Sequence, residues 1–392
     1  MRKTIPALSK TFSQFFESER AGGIVLVVCT VLSLAITNSP AGQGYLNFWH
    51  GDLGPLKIEH WVNDALMAIF FLLIGLELKR ELYVGELSSM QNGLLPVFAA
   101  IGGMLVPALI HYALNAGTPT QPGFGIPMAT DIAFAIAALA LLGKRIPPSL
   151  KILVVAFAVI DDLGAIIVIA VFYTAHLSLG YLGGAIIVSL ALVTLNRGLR
   201  VMSLTPYLLG GALLWFLMLK SGVHATIAGV MLAFTIPFAA KDNDVQSPSY
   251  RLEHFLHKPV AFIILPIFAL ANTGVVVDAD WLTSLSSVNS IGIMAGLVLG
   301  KPLGVMVLCY VAVGIGWCRL PADLNWRHIA GAGMLGAIGF TMSIFITQLA
   351  FATNAAEINA SKMAVLVASA VAGICGYGWL MIVSKREVSA PR

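Results

Sequence analysis

The sequence predicts an all-α protein that crosses a membrane twelve times. Three observations carry this expectation. Of 392 residues, 58% are hydrophobic and 11% charged, with a mean hydropathy of +0.89. Soluble domains carry about 25% charge, so the composition argues against a soluble enzyme. Apolar runs of roughly span length (~20 residues) recur along the whole chain, and no polar stretch is long enough for a separate soluble domain. The basic residues also segregate. With the N-terminus placed inside, 19 of the 23 Lys and Arg fall in inner loops and tails, three (Lys57, Lys220, Lys362) fall outside, and Lys301 lies within a span. That bias supports twelve spans with both termini expected in the cytoplasm.

The elements follow in order. Residues 1–20 hold Arg2, Lys3, Lys10 and Arg20 ahead of an apolar run. The polar part is too long for a secretory signal, and no small-residue cleavage site follows, so 1–20 is expected as a cytoplasmic amphipathic tail. Spans are expected near 21–37, 61–78, 94–115, 122–143, 150–174, 181–196, 204–219, 223–238, 255–275, 290–313, 328–351 and 361–383, before a cytoplasmic tail over 384–392. Lys220-Ser221-Gly222 marks a tight turn that divides 204–238 into two short helices. The chain therefore reads as one integral membrane domain over 1–392. The net charge of +4 is scattered, which argues against nucleic-acid binding. The four cysteines show no metal-type spacing, and no disulfide framework is expected.

Against this apolar background a few charges are misplaced. They are Asp131 in span four, Asp161 and Asp162 in span five, and Lys301 in span ten; Asp64 lies nearer the outer end of span two. Four midplane charges left in lipid would cost on the order of 10–14 kcal/mol. Asp161 lies ten residues beyond Lys151, or ~15 Å, half of a ~30 Å core. Asp131 and Lys301 reach similar depth. A buried ion pair that fixes helix register is the plainer alternative. Three carboxylates against one lysine leave excess charge for a cation to neutralise, which favours a wet ion pathway.

Two spans are poor helices. Span four reads Gly123-Phe124-Gly125-Ile126-Pro127-Met128-Ala129-Thr130-Asp131, and its proline removes a backbone donor. Span eleven carries Gly331, Gly333, Gly336 and Gly339. Each is the middle member of a triplet, spans 3–5 and spans 10–12. The offset of seven spans reverses membrane orientation, as an inverted repeat requires, and paired interrupted helices point to a transporter site. The alternative is that the glycines only permit close helix packing. A broken helix directs partial positive charge from N-termini and partial negative charge from C-termini into the gap. Asp131 would balance the former and Lys301 the latter.

Several motifs mislead. Gly331 to Gly336 matches GxGxxG but follows no strand, and Gly296 to Lys301 is an incomplete phosphate loop followed by Pro302. Gly292, Gly296, Gly300 and Gly304 recur every four residues and form a smooth helix face. Asp161-Asp162 starts a DDxxD pattern that Ala165 leaves unfinished.

The chain closely resembles the NhaA-type bacterial sodium/proton antiporters over nearly its whole length. The matching segments include Trp61 to Ala68, Gly75 to Glu81, Ala129 to Phe134, Ile160 to Ala165, Ser221 to Thr226, Arg251 to His254, Gly300 to Gly304 and Gly339 to Ser343. The family is itself a known case of the inverted-repeat pattern. The resemblance implies a twelve-helix fold with crossed, discontinuous fourth and eleventh helices. It implies that Asp161 and Asp162 carry Na+ and protons, and that Thr130 helps coordinate Na+. Asp131 and Lys301 would sit at the helix crossing as electrostatic supports, with Lys301 pairing with Asp161 when no sodium is bound. Asp64 would belong to an outer cation funnel. Glu77, Arg80, Glu81, Glu253, His254 and His257 would form a cytoplasmic pH-sensing region, and His224, near the outer surface, matches a histidine linked to the pH response. Without the family, the same inner-loop charges read as ordinary solvated juxtamembrane groups. The resemblance implies no cofactor, Na+, Li+ and H+ as cargo, residence in lipid of the bacterial inner membrane, and a homodimer. The outer loop 38–60 is short for a family that often dimerises through a β-hairpin there.

Sodium is a hard cation, suited to carboxylates, a threonine hydroxyl and unwound backbone carbonyls. Adjacent aspartates titrate as a coupled pair, so proton and sodium compete for one site, and rising cytoplasmic pH favours sodium. Two protons per sodium would move one net charge inward per cycle, worth ~2.3 kcal/mol per 100 mV. Two other classes fit less well. An intramembrane aspartyl protease needs a Gly-x-Gly-Asp signature that neither Asp131 nor Asp162 has. A cation channel would carry acidic rings and not a broken-helix repeat.

Overall fold

The computed structural model describes residues 10–88, 90–174, 177–239, 246–277 and 279–389, with side chains described from 21 to 384 except at 86, 90–92 and 144. The tail residues Arg2, Lys3 and Arg392, and Lys241, lie outside the described residues.

Helices occupy all twelve expected positions. Helix α1 (Lys10–Thr37) includes residues 10–20 of the expected tail. Helix α2 (Gly42–His50) turns from it by 114°. The loop after α2 then forms an antiparallel hairpin, β1 (Asp52–Leu53) with β2 (Leu56–Lys57), in which Asp52 pairs with Lys57. Next come α3 (Ile58–Tyr83) and α4 (Met90–Asn115). Span four begins as a 3-10 segment (Gln121–Met128) and resumes as α5 (Ile132–Leu142). Helices α6 (Pro148–Phe172), α7 (Leu179–Arg197), α8 (Thr205–Ser221), α9 (Ile227–Thr235), α10 (Pro248–Asn272) and α11 (Val288–Gly314) follow. Span eleven is α12 (Trp326–Gly336) and α13 (Phe340–Ala350), bent by 48°, and α14 (Ala355–Ser389) ends the fold.

By length and apolarity eight helices can each cross a membrane, and ten spans result if each bent pair counts as one. The two further expected spans are α8, with 17 residues, and α9, with nine. Nine residues rise only ~14 Å, because the turn after Gly222 and an extended backbone at Ile236 clip the helix at both ends.

The chain divides into two compact units. The first holds the described residues of 1–27, 90–165 and 277–392, and so unites α4, the 3-10 segment, α5, most of α6 and α11–α14. These are the two triplets of the expected inverted repeat. The glycine stripe of α11 makes close approach possible here. A Cβ on Gly304 would strike the Gly102 carbonyl of α4, one on Gly102 would strike that of Gly304, and Gly296 lies against Pro127 of the 3-10 segment. The second unit holds 28–89 and 166–276. In it α3 lies on α9, where Gly229 abuts the Ala68 carbonyl. Helices α7, α8 and α9 share a small core of Ala185, Leu214, Met218 and Ala228. All four cysteines are free.

Candidate ion-binding site

The site in the first unit is built from chain breaks. After the 3-10 segment the backbone is extended at Ala129 and again at Asp131, which caps α5 by accepting the Phe134 N–H at 3.1 Å. Span eleven breaks between Gly336 and Phe340. The two breaks are bonded to each other. The Asp131 N–H donates to the Ile338 carbonyl at 2.6 Å. The Thr341 N–H and hydroxyl donate to Asp131 Oδ2 at 3.1 and 2.5 Å. The Ser343 hydroxyl donates to the Ile126 carbonyl at 2.7 Å, and the Thr130 hydroxyl to the Gly336 carbonyl at 2.7 Å. Helix termini leave backbone groups without intrahelical partners, and these bonds satisfy several of them without water. Asp131 meets the free N–H groups of both α5 and α13, so a single anion serves two positive helix ends.

The negative end has a cation. Lys301, midway along α11 and buried, donates to the Met128 carbonyl that closes the 3-10 segment. The same Nζ donates to Asp161 Oδ2 at 2.7 Å, an ion pair with both side chains fully buried. The hydroxyl and N–H of Thr130 also face Asp161. One hydroxyl hydrogen cannot serve Gly336 and Asp161 together, so when Gly336 takes it the Thr130 oxygen keeps lone pairs for a cation. Asp162 is buried beside Asp161 and adds its charge to the field at Lys301. The site thus gathers three carboxylates, one ammonium, the hydroxyls of Thr130, Thr341 and Ser343, and unwound carbonyls, all of one unit. This is an oxygen-rich set matched to a hard cation.

Comparison with known proteins shows the family. The family model for Na+/H+ antiporter 1 matches residues 13–380. A sodium/proton antiporter NhaA of Dechloromonas aromatica is 66% identical over 387 residues, covering 99% of this chain and all of that protein. The chain belongs to the Na+/H+ antiporter 1 family. Another relative, the NhaA of Cytophaga hutchinsonii, is 55% identical and covers 97% of this chain and 98% of its own. The fold also resembles that of the sodium proton antiporter MjNhaP1 from Methanocaldococcus jannaschii, with a TM-score of 0.60 at 16% identity, covering 96% of this chain and 98% of that one. A member of this antiporter family is a multi-pass membrane transporter and not an enzyme.

The remaining expected residues of this family member lie in the second unit. Glu77, Arg80 and Glu81 end α3, facing Glu253, His254 and His257 of α10. Arg80 reaches Glu253 at 3.3 Å and Glu81 at 3.6 Å. His257 reaches Glu77 at 3.5 Å and Glu253 at 3.9 Å. His254 stacks on Tyr250 with ring centroids 3.7 Å apart. Asp64 and His224 stand apart from this group. Asp64 lies in a π-helical stretch of α3 (Trp61–Leu66), where its carbonyl accepts the Trp215 indole N–H at 3.1 Å. His224 sits in the turn between α8 and α9, with Nε2 3.0 Å from the Tyr173 carbonyl. Among the described residues no three His, Cys, Asp or Glu are grouped to hold a metal ion.

Sequence reasoning missed four residues. Thr341 and Ser343 follow the Gly339 break, and a hydroxyl residue just after a break was a usable capping signal. Ser369 of α14 accepts the Phe340 N–H at 3.1 Å, but a serine in an apolar span looks like any small packing residue. Lys79 reads as a loop cation. It is instead buried, donating to the Ala233 and Ile236 carbonyls at 3.2 and 2.5 Å at the end of α9.

Proposed function

We propose that this chain exports Na+, and Li+ as well, from the bacterial cytoplasm across the inner membrane. It takes in two protons per ion, is activated by alkaline cytoplasmic pH, and serves sodium and pH homeostasis. Exchange of Na+ for H+ is what the family does, and the finer reading rests on the site. The observation that carries it is the Lys301–Asp161 pair, 2.7 Å apart and buried at two crossed helix breaks. A cation that binds Asp161 and Asp162 must take the place of the ammonium or of protons, so loading with sodium and loading with protons exclude one another. Asp161, Asp162 and Thr130 hold the ion, Asp131 and Lys301 hold the breaks, and Asp64 attracts cations on the outer side. Glu77, Arg80, Glu81, Glu253, His254 and His257 sense cytoplasmic pH, with His224 contributing from its turn. The 19-to-3 distribution of loop cations supports termini on the cytoplasmic side. The exposed β1–β2 hairpin offers an edge through which two copies can pair as a homodimer.

Purified protein in liposomes tests this. An imposed Na+ gradient should drive proton movement in the opposite direction, sensitive to membrane potential, and Asp162→Asn should abolish it. Electroneutral exchange overturns the two-proton ratio, and full activity of Asp162→Asn overturns the site.

A further inference from the structure

The outer half of the first unit contains a second buried polar network, which the ion site does not use. His111 of α4, fully buried, places Nε2 3.0 Å from Oδ1 of Asn289 on α11. Asn289 Nδ2 donates to Glu357 Oε2 at 3.0 Å and to the Ser361 hydroxyl at 2.9 Å, both on α14. Turning the amide over would set its oxygen against the Glu357 carboxylate, so the orientation is determined. It follows that Nε2 of the neutral imidazole carries the hydrogen and Nδ1 carries a lone pair. Nδ1 has no hydrogen-bond partner among the described residues. The ring is seated between glycines. A Cβ on Gly292 would come within 2.9 Å of the ring, and one on Gly123 within 3.1 Å.

The position matters as much as the tautomer. Gly123 belongs to the 3-10 segment that leads to Thr130, seven residues further on. At ~2.0 Å per residue this is roughly 14 Å. Glu357, near the start of α14, is half-exposed, so the network runs from a wetted carboxylate to a buried bare nitrogen on the outer side of the ion site. The groups packed on His111 are Asn289 and Gly292 of α11, Asn115 of its own helix, and Gly123. The charge connected to it is Glu357, through Asn289. A latch between helices would need only hydrogen bonds, which an amide supplies. A histidine with one nitrogen left bare supplies a place for a proton.

We propose that His111 is a proton-loading group on the outer path to the ion site. The inference rests on the exchange reading and its membrane orientation. The Nδ1 lone pair forms an N–H bond with a proton from the outer solution, giving an imidazolium whose charge Glu357 offsets through Asn289. The N–H bond then breaks, and the proton passes through water to the carboxylate of Asp161 or Asp162. Nε2 keeps its hydrogen throughout.

The test is exchange by the full chain in oriented liposomes, with inner-face pH and Na+ fixed and outer-face pH varied. His111→Gln keeps a hydrogen-bonding amide but cannot carry the proton. It should slow exchange about tenfold at an outer pH of about 8, where protons are scarce, and less than twofold at about pH 6. KM for Na+ at the inner face should not move. Glu357→Gln, which leaves the ring in place, should show the same trend to a smaller extent and keeps the question answerable if His111→Gln does not fold. An outer-pH profile matching wild type in both variants overturns the proposal. So does an equal slowing at every outer pH, or a change that follows inner-face pH. Wild-type liposomes that move no protons with Na+ would instead defeat the exchange reading itself.

Discussion

Asp131 and Thr341 join the two broken helices through one carboxylate oxygen. Asp131 Oδ2 accepts both the N–H and the hydroxyl of Thr341, at 3.1 and 2.5 Å, while Oδ1 accepts the Phe134 N–H that begins α5. Both acceptors are therefore committed to helix ends, whereas Asp161 and Asp162 carry the charge that faces Lys301. Asp131→Asn retains one acceptor oxygen and must orphan a buried N–H on one side. The expected loss is about 1–3 kcal/mol of stability, read as a lowered midpoint of denaturant unfolding in detergent. An unchanged midpoint would show that the shared cap does not hold the crossing.

Removing one member of a buried ion pair costs about 3–5 kcal/mol, because the other charge is stranded. Lys301→Met should be destabilising by that amount, since Asp161 is left charged and the Met128 carbonyl loses its donor. Adding Asp161→Asn should recover more than half of the loss. A double-mutant cycle in unfolding free energy checks this, and strictly additive effects would argue that the two side chains do not depend on each other.

Lys79 plays for α9 the part that Lys301 plays for the 3-10 segment. Both are buried lysines donating to carbonyls at a C-terminal end. Lys79→Met should cost about 1–3 kcal/mol, concentrated in α9, whose nine residues have little helical stability of their own. Hydrogen exchange resolved to that segment should rise well above that in α7. Uniform exchange throughout would contradict a local cap.

The glycine stripe makes a sharper prediction. Gly304→Ala pushes a methyl group into the Gly102 carbonyl, where backbone cannot yield cheaply, and should cost about 1–3 kcal/mol. Gly183→Ala in α7 meets open space and should gain up to about 1 kcal/mol from helix propensity. Thermal unfolding of the two variants side by side should move in opposite directions.

Much of this was legible beforehand for one reason: charge is conspicuous in an apolar chain. Asp131, Asp161, Asp162 and Lys301 stand out by depth alone, and Pro127 with the glycines of span eleven announce the breaks. What the sequence withheld is how a break is closed. Pro127 removes a donor, but nothing local says that the segment around it tightens to a 3-10 helix or that the Ile338 and Gly336 carbonyls accept from Asp131 and Thr130 beyond it. His111 and Asn289 meet across 178 positions, so no window on the chain relates them. The ninth helix reads as a full span because hydropathy counts apolar residues and not backbone geometry. The turn at Gly222 and the extended Ile236 shorten it without any loss of apolar character.

His257 lies between Glu77 and Glu253, at 3.5 and 3.9 Å, and these are ion pairs only while the imidazole is protonated. Arg80 also pairs with Glu253 and with Glu81, so this helix end is held by two cations among three carboxylates. His257→Ala removes both of its contacts and should loosen the first turns of α10 from α3. Hydrogen exchange in residues 250–258 should be faster in His257→Ala than in wild type. His257→Lys, which keeps a cation beside Glu77 and Glu253, should stay near wild type. If both variants exchange like wild type, His257 does not hold this helix end.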